Sequence, residues 1–152
     1  MKAVIQRVKN AQVCVDGECI SSISQGLLVL LGVHNTDTED EARLLASKTA
    51  NLRIFCDEND KMNKSVLDMN GEILVVSNFT LCADTKKGNR PSFIQAKEPI
   101  VADELYNLYC KELKTNGVKK VGQGMFGADM KVSLLNDGPV TIILDTDTWR
   151  KQ

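Results

Sequence analysis

Histidine is nearly absent, since the 152-residue chain holds only His34. The common zinc sites need several histidine or cysteine ligands at set spacings, and the five cysteines, Cys14, Cys19, Cys56, Cys82 and Cys110, form no C-x-x-C pair. The sequence therefore predicts no metal, and the cysteines read as small reduced residues within strands and helices. A single imidazole also leaves little room for a nucleophile, histidine and carboxylate triad. His34 ends an apolar run beside Asn35, which suits a solvated or capping histidine better than a catalytic one.

Long apolar runs are missing too. The longest, Leu27 to Leu31, falls far short of the roughly 20 residues a membrane helix needs. The opening Met1–Lys9 alternates and carries charge, unlike a signal peptide, so a soluble cytoplasmic protein is expected. Neither charge is in excess, with 19 basic and 20 acidic residues giving a net charge of −1. No global positive field draws in a DNA duplex, although local recognition of a nucleic-acid end stays open. At this length one domain, residues 1–152, is expected, with a core that needs neither disulfides nor metal.

What is present reads as many strands and two separated helices. Val4 to Val8 alternates as a strand, and Gln12 to Val15 reads as a second one, turning on Asp16-Gly17 into Glu18–Ile23 as a hairpin. Leu27–Leu31 reads as a strand covered on both faces. Thr38 and Glu41 fit a capping box that opens a helix running to about Ala50, with Ala42, Leu45, Ala46 and Thr49 as its apolar stripe. Residues 72–83 read as a long strand or two strands meeting at a bend. Pro99 opens a second helix along Val101, Leu105, Leu108, Tyr109 and Leu113, which Gly117 stops. Two last strands, 130–135 and 140–144, flank Asn136-Asp137-Gly138-Pro139, which composition alone makes a hairpin turn. The sum is an α+β fold: antiparallel sheets forming a barrel-like β core with two main helices.

Gly122-Gln123-Gly124-Met125-Phe126-Gly127 matches G-x-G-x-x-G, yet it comes late and lacks the following helix that a dinucleotide site requires. No organic cofactor is predicted. Polar residues interrupt apolar stretches at Ser77-Asn78-Phe79-Thr80-Leu81 and at Asn136–Thr141. As a strand, the first would put Ser77, Phe79 and Leu81 on one face and Asn78 and Thr80 on the other. Its backbone amides, at a bend, are free to serve a ligand.

Those two segments, the loop Ala83–Phe93, the late Gly127–Val132 and the opening Met1–Val8 together resemble the D-aminoacyl-tRNA deacylases, in order and over nearly the whole chain. The resemblance implies a homodimeric, cofactor-free esterase that cleaves a D-amino acid or glycine from the 3′ acceptor end of tRNA. It implies that Gly138 and Pro139 form a Gly-cisPro motif entering the partner's pocket and excluding L side chains. Arg7 would hold that motif, with Phe126 and Met130 near the adenosine and aminoacyl group. Ser77, Phe79 and Thr80 would form the catalytic segment, with amides around Phe79 and Thr80 facing the developing oxyanion and the terminal 2′-hydroxyl assisting hydrolysis. Lys86, Lys87 and Arg90 would meet acceptor-stem phosphates. One departure stands out: the family reads glutamine where this chain has Asn78, one methylene shorter. A module that holds the aminoacyl-tRNA end without turnover, and a deacylase of relaxed chirality, fit the same residues.

Overall fold

The structure, a computed structural model, describes residues 1–150. In chain order it forms β1 (Lys2–Val15), β2 (Glu18–Ile23), β3 (Gly26–Gly32), α1 (Glu39–Asn51), β4 (Phe55–Cys56), β5 (Met62–Lys64), β6 (Glu72–Ser77), α2 (Pro99–Thr115), β7 (Val121–Gln123) and β8 (Lys131–Asp145). Short 3-10 turns occupy Phe79–Cys82 and Thr146–Trp149. Six strands form one mixed sheet, nearly closed into a barrel, and β4 with β5 forms a small ribbon.

The alternation that predicts two strands before Asp16 belongs to one, because β1 contains a bulge. Val8 pairs with Asn136 and Asn10 with Leu135, so one residue of β1 goes unmatched. Val8 and Ala11 then face the same side despite their odd spacing, which breaks the period-2 pattern. At Asp16 and Gly17 the chain turns with φ of 51° and 79°, both in the left-handed region that a type I′ hairpin turn demands.

Residues 136–139 do not reverse the chain. Gln6 pairs with Thr141 and Val8 with Asn136, so a two-residue step on β1 spans five on β8 and the extra residues are extruded as a loop. The pairing resumes in the same antiparallel sense on both sides, which makes β8 one long strand and corrects the hairpin reading. Turn-forming residues mark a change of direction, and a bulge uses them as readily as a reversal does.

The antiparallel pairings surround β1, whereas β3 with β6 and β6 with β7 run parallel. The sheet packs two faces differently. Ala3, Ile5, Leu27, Val29, Ile73 and Val75 meet α1 and α2, while Val8, Val13, Leu28, Leu74 and Val76 fill the inside of the curl. Burial on both faces explains why β3 reads as an unbroken apolar run.

Both helices begin where the sequence predicts. Thr38 and Glu41 complete the capping box on α1, and Ala42, Leu45, Ala46 and Thr49 are buried. Pro99 sits in the first turn of α2, which buries Ala102, Leu105, Tyr106, Tyr109, Cys110 and Leu113. Val101 and Leu108 lie at the rim of that face, half-buried. The ammonium of Met1 is fully buried, ion-paired to the equally buried Asp37 and donating to Thr146 Oγ1 at 2.6 Å. Among the described residues no helix is long and apolar enough to cross a membrane.

Candidate functional site

Aromatic residues are few, four Phe, two Tyr and one Trp, yet four of the seven line one cavity of about 830 Å³. Phe79 and Phe93 meet edge to face with ring centroids 5.1 Å apart, and Tyr106 lies 6.1 Å from Phe126. Leu28, Leu30 and Val76 form the floor, and Gln6 and Met130 reach the same space. The walls come from the end of β6, the segment before α2, and the link from β7 to β8.

Residues 78–82 correct the strand reading. β6 ends at Ser77, and Phe79–Cys82 winds into a 3-10 turn. A 3-10 turn rotates successive side chains by about a third of a revolution, so the predicted alternation does not apply here. Ser77, Asn78 and Phe79 consequently all line the cavity. The Asn78 N–H donates to Leu31 O at 2.8 Å and the Leu81 N–H to Asn78 O at 3.3 Å. Between them, the N–H groups of Phe79 and Thr80 have no acceptor among the described residues.

The charged groups lining the cavity, Lys97, Glu98 and Asp129, each have a partner among the described residues. The Thr80 hydroxyl donates to Asn78 Oδ1. Lys97 Nζ donates to the carbonyls of Asn35 and Asp37 at 2.9 and 2.8 Å. Glu98 accepts from Val101 N–H, and Asp129 pairs with Lys131. Tyr106 donates to Val75 O at 2.7 Å, and burial pushes its hydroxyl pKa further up. His34 is absent from the lining. Its Nε2 is buried without a partner among the described residues although the residue as a whole is half-buried, and its backbone N–H donates to Asp37 Oδ2.

Gly138 and Pro139 lie apart from this cavity, exposed, in the loop extruded from β8. The peptide between them is cis. Arg7 holds the loop, donating from Nε to Asp137 O at 2.9 Å and from Nη1 to Ile54 O at 2.7 Å. Gly138 has a φ of 144°, and a Cβ there would meet Val140 N at 2.9 Å. Only glycine fits this position. Lys86, Lys87 and Arg90 are exposed on a loop closed by reciprocal hydrogen bonds between the half-buried Asp84 and Ser92, at 2.8 and 2.9 Å.

The structure thus brings Ser77, Asn78, Phe79, Phe126 and Met130 together with Thr80 beside them, and sets Arg7, Gly138 and Pro139 in a second cluster. Sequence reasoning missed Gln6, Phe93 and Tyr106. Gln6 left a trace, a polar residue on the same strand face as Val4 and Val8. Of the Gly122–Gly127 stretch only Phe126 and Gly127 line the cavity, and no helix follows it; among the described residues no three His, Cys, Asp or Glu side chains gather as a metal site would require.

A nearly closed mixed sheet, covered by two helices and opening on an aromatic cavity, defines a small single-domain α+β protein with a candidate ligand site. The family model described as D-Tyr-tRNA(Tyr) deacylase matches residues 4–145, and the chain belongs to that family. The D-aminoacyl-tRNA deacylase of Flavobacterium psychrophilum is 56% identical over 146 residues, covering 96% of this chain and 97% of its own. That of Roseiflexus castenholzii is 56% identical over 99% of this chain and 96% of its own. Proteins so named are hydrolases of ester bonds. Among solved structures, one described as c-Myc DNA Unwinding Element Binding Protein is 47% identical with a TM-score of 0.90, covering 95% of this chain and 98% of its own. A probable eukaryotic D-amino acid tRNA deacylase, 17% identical, shares the fold at a TM-score of 0.80, covering 94% and 97%.

Proposed function

We propose that this single-domain protein, residues 1–152, hydrolyses the ester joining a D-amino acid, or glycine, to the terminal adenosine of tRNA. It works in the cytoplasm, as a homodimer and without a cofactor. The carrying observation is the cavity: four aromatic side chains offer faces on which an unpaired base can stack, beside two N–H donors with no partner among the described residues. Phe126 and Met130 hold the adenosine and aminoacyl end, and Ser77 and Asn78 fix its orientation. The amides of Phe79 and Thr80 receive the ester oxygen as charge develops on it. Because Thr80 donates its proton to the amide oxygen of Asn78, which cannot serve as a base, it positions substrate and does not attack. The terminal 2′-hydroxyl of tRNA supplies the missing assistance.

Chirality is read by exclusion. Gly138 and Pro139 do not reach the cavity of their own chain, which fits delivery of the loop to a second copy. Strand β8 supports this reading, since β1 is its one strand partner among the described residues and it exposes Leu135 and Ile143 by 56% and 66%. An uncovered strand edge with apolar residues is a surface a partner chain covers. In the partner's pocket the loop's backbone occupies the space an L side chain needs, and glycine, lacking one, passes. Lys86, Lys87 and Arg90 neutralise acceptor-stem phosphates.

Asn78 favours a second reading, a module that holds the tRNA end without turnover, because the shorter amide already spends its oxygen on Thr80. With D-tyrosyl-tRNA in large excess, release of free D-tyrosine over many turnovers supports the esterase. Stable binding with no release, restored to turnover in Asn78→Gln, overturns it in favour of the module. The net charge of −1 argues against coating of a DNA duplex, whatever the name of the 47% relative.

A further inference from the structure

Two of the five free cysteines face each other, and neither belongs to the cavity. In the β1–β2 hairpin the register sets Cys14 opposite Cys19, one rung in from Val15 and Glu18 beside the turn. The next rung is Val13 with Ser21, so Ile20 goes unmatched and bulges out. Cys19 Sγ donates to Gln12 Oε1 at 3.5 Å. Gln12 lies two residues before Cys14 on the same strand, hence on the same face, and both sulfurs stand on that face. Cβ atoms of directly opposed residues lie about 4.5–5.5 Å apart. A disulfide needs about 3.5–4.5 Å, a closure of one ångström or less. Strand β2 lies at the end of the sheet, and its bulge lets it move that far.

We propose that Cys14 and Cys19 are a dithiol site that exchanges with low-molecular-weight disulfides. Cys19 is exposed and Cys14 half-buried, so Cys19 is the sulfur an incoming disulfide reaches first. Burial and the neighbouring Cys19 sulfur push the Cys14 thiol up, which suits the residue that acts second. The Cys19 thiolate attacks one sulfur of the oxidant, its S–S bond breaks, and one thiol leaves. Cys14 then gives up its proton and attacks the Cys19 sulfur of the mixed disulfide, forming the intrachain bond and releasing the second thiol. Two protein thiols are oxidised by two electrons and one small disulfide is reduced to two thiols. Cys82 and Cys110 take no part, since burial holds both as thiols, with pKa values pushed up to about 11 and about 12. Cys56 has no cysteine opposite it on its short strand.

The test incubates the full chain with glutathione disulfide at graded ratios to glutathione, blocks free thiols, and maps peptides without reduction. The expected result is an intrachain Cys14–Cys19 bond with loss of two hydrogens, two of five thiols lost to alkylation, and full return with dithiothreitol. Cys14→Ser should trap glutathione on Cys19, while Cys19→Ser should leave Cys14 unmodified. Both variants change an edge hairpin outside the core clusters and should remain folded by circular dichroism. Separate glutathione adducts on both cysteines, a Cys19–Cys19 bond between copies, or no reaction at ratios that oxidise an ordinary exposed thiol would overturn the proposal.

Discussion

The guanidinium of Arg7 joins two distant pieces of backbone, donating to Asp137 O at 2.9 Å and to Ile54 O at 2.7 Å. It ties the loop extruded from β8 to the segment leaving α1. The Asp137 carboxylate adds longer contacts, 3.6 Å to Arg7 and 3.5 Å to Lys9. A lysine carries one compact ammonium and cannot span both directions that the planar fork reaches.

Arg7→Lys should therefore leave one carbonyl unpaired and lower stability by about 1–3 kcal/mol. The loop should lose its fixed orientation as well. A thermal melt with paired D- and L-tyrosyl-tRNA assays checks both, the expectation being a lower melting point and a narrowed gap between the two esters. An unchanged gap would separate Arg7 from chirality selection.

Thr80 tests the amide-based account. As a nucleophile it would be indispensable, whereas as a hydrogen-bonding residue its loss should cost on the order of tenfold in kcat, the worth of roughly 1.4 kcal/mol. Thr80→Val with single-turnover kinetics distinguishes the two. Abolished hydrolysis with retained tRNA binding would restore the nucleophile.

Asp37 carries a structural load. Its carboxylate and the Met1 ammonium are both fully buried, so Asp37→Asn removes the charge that compensates the other. Truncating one member of such a pair costs about 3–5 kcal/mol. Denaturant unfolding of the variant should show that loss, and a change under about 1 kcal/mol, typical of surface ion pairs, would contradict it.

Acid should weaken the fold through named carboxylates. Burial acts to raise the Glu41 pKa, but hydrogen bonds from Thr38 and the charge of Arg150 hold it below the ordinary value. Asn63 and the Lys61 N–H do the same for Asp57, and Ser65 for Asp68. Each is lower when folded than unfolded, so its contribution is fully present above the unfolded value of about 4 and is lost as pH falls through the folded one. Melting temperature measured from pH 7 to pH 3 should drop at the acid end, with a smaller drop in Glu41→Gln.

Local chemistry made much of this legible. The capping box at Thr38 and Glu41, the Asp16-Gly17 turn, Pro99 at the start of α2 and the apolar stripe of α1 each follow from neighbouring residues alone. Where the reading failed, the cause lay across the sheet. Whether Asn136–Pro139 turns back or bulges depends on what β1 offers opposite, and Asn10 conceals a register shift that only pairing with Leu135 reveals. The parallel partners of β6, strands β3 and β7, are chosen over long separations, which periodicity does not encode. In the site, Ser77, Asn78, Phe126 and Met130 were visible as motif residues. Phe93 and Tyr106 were not, because a loop aromatic and a helix-face tyrosine read as ordinary packing until the fold brings them to Phe79 and Phe126.

Exclusion of the L side chain is the central claim, and matched D-tyrosyl-, L-tyrosyl- and glycyl-tRNA, each in excess over metal-stripped protein, test it most directly. Rapid multiple-turnover loss of the D and glycyl esters with the L ester spared is the predicted result. Equal hydrolysis of the D and L esters, or sparing of the glycyl ester along with the L, would contradict it.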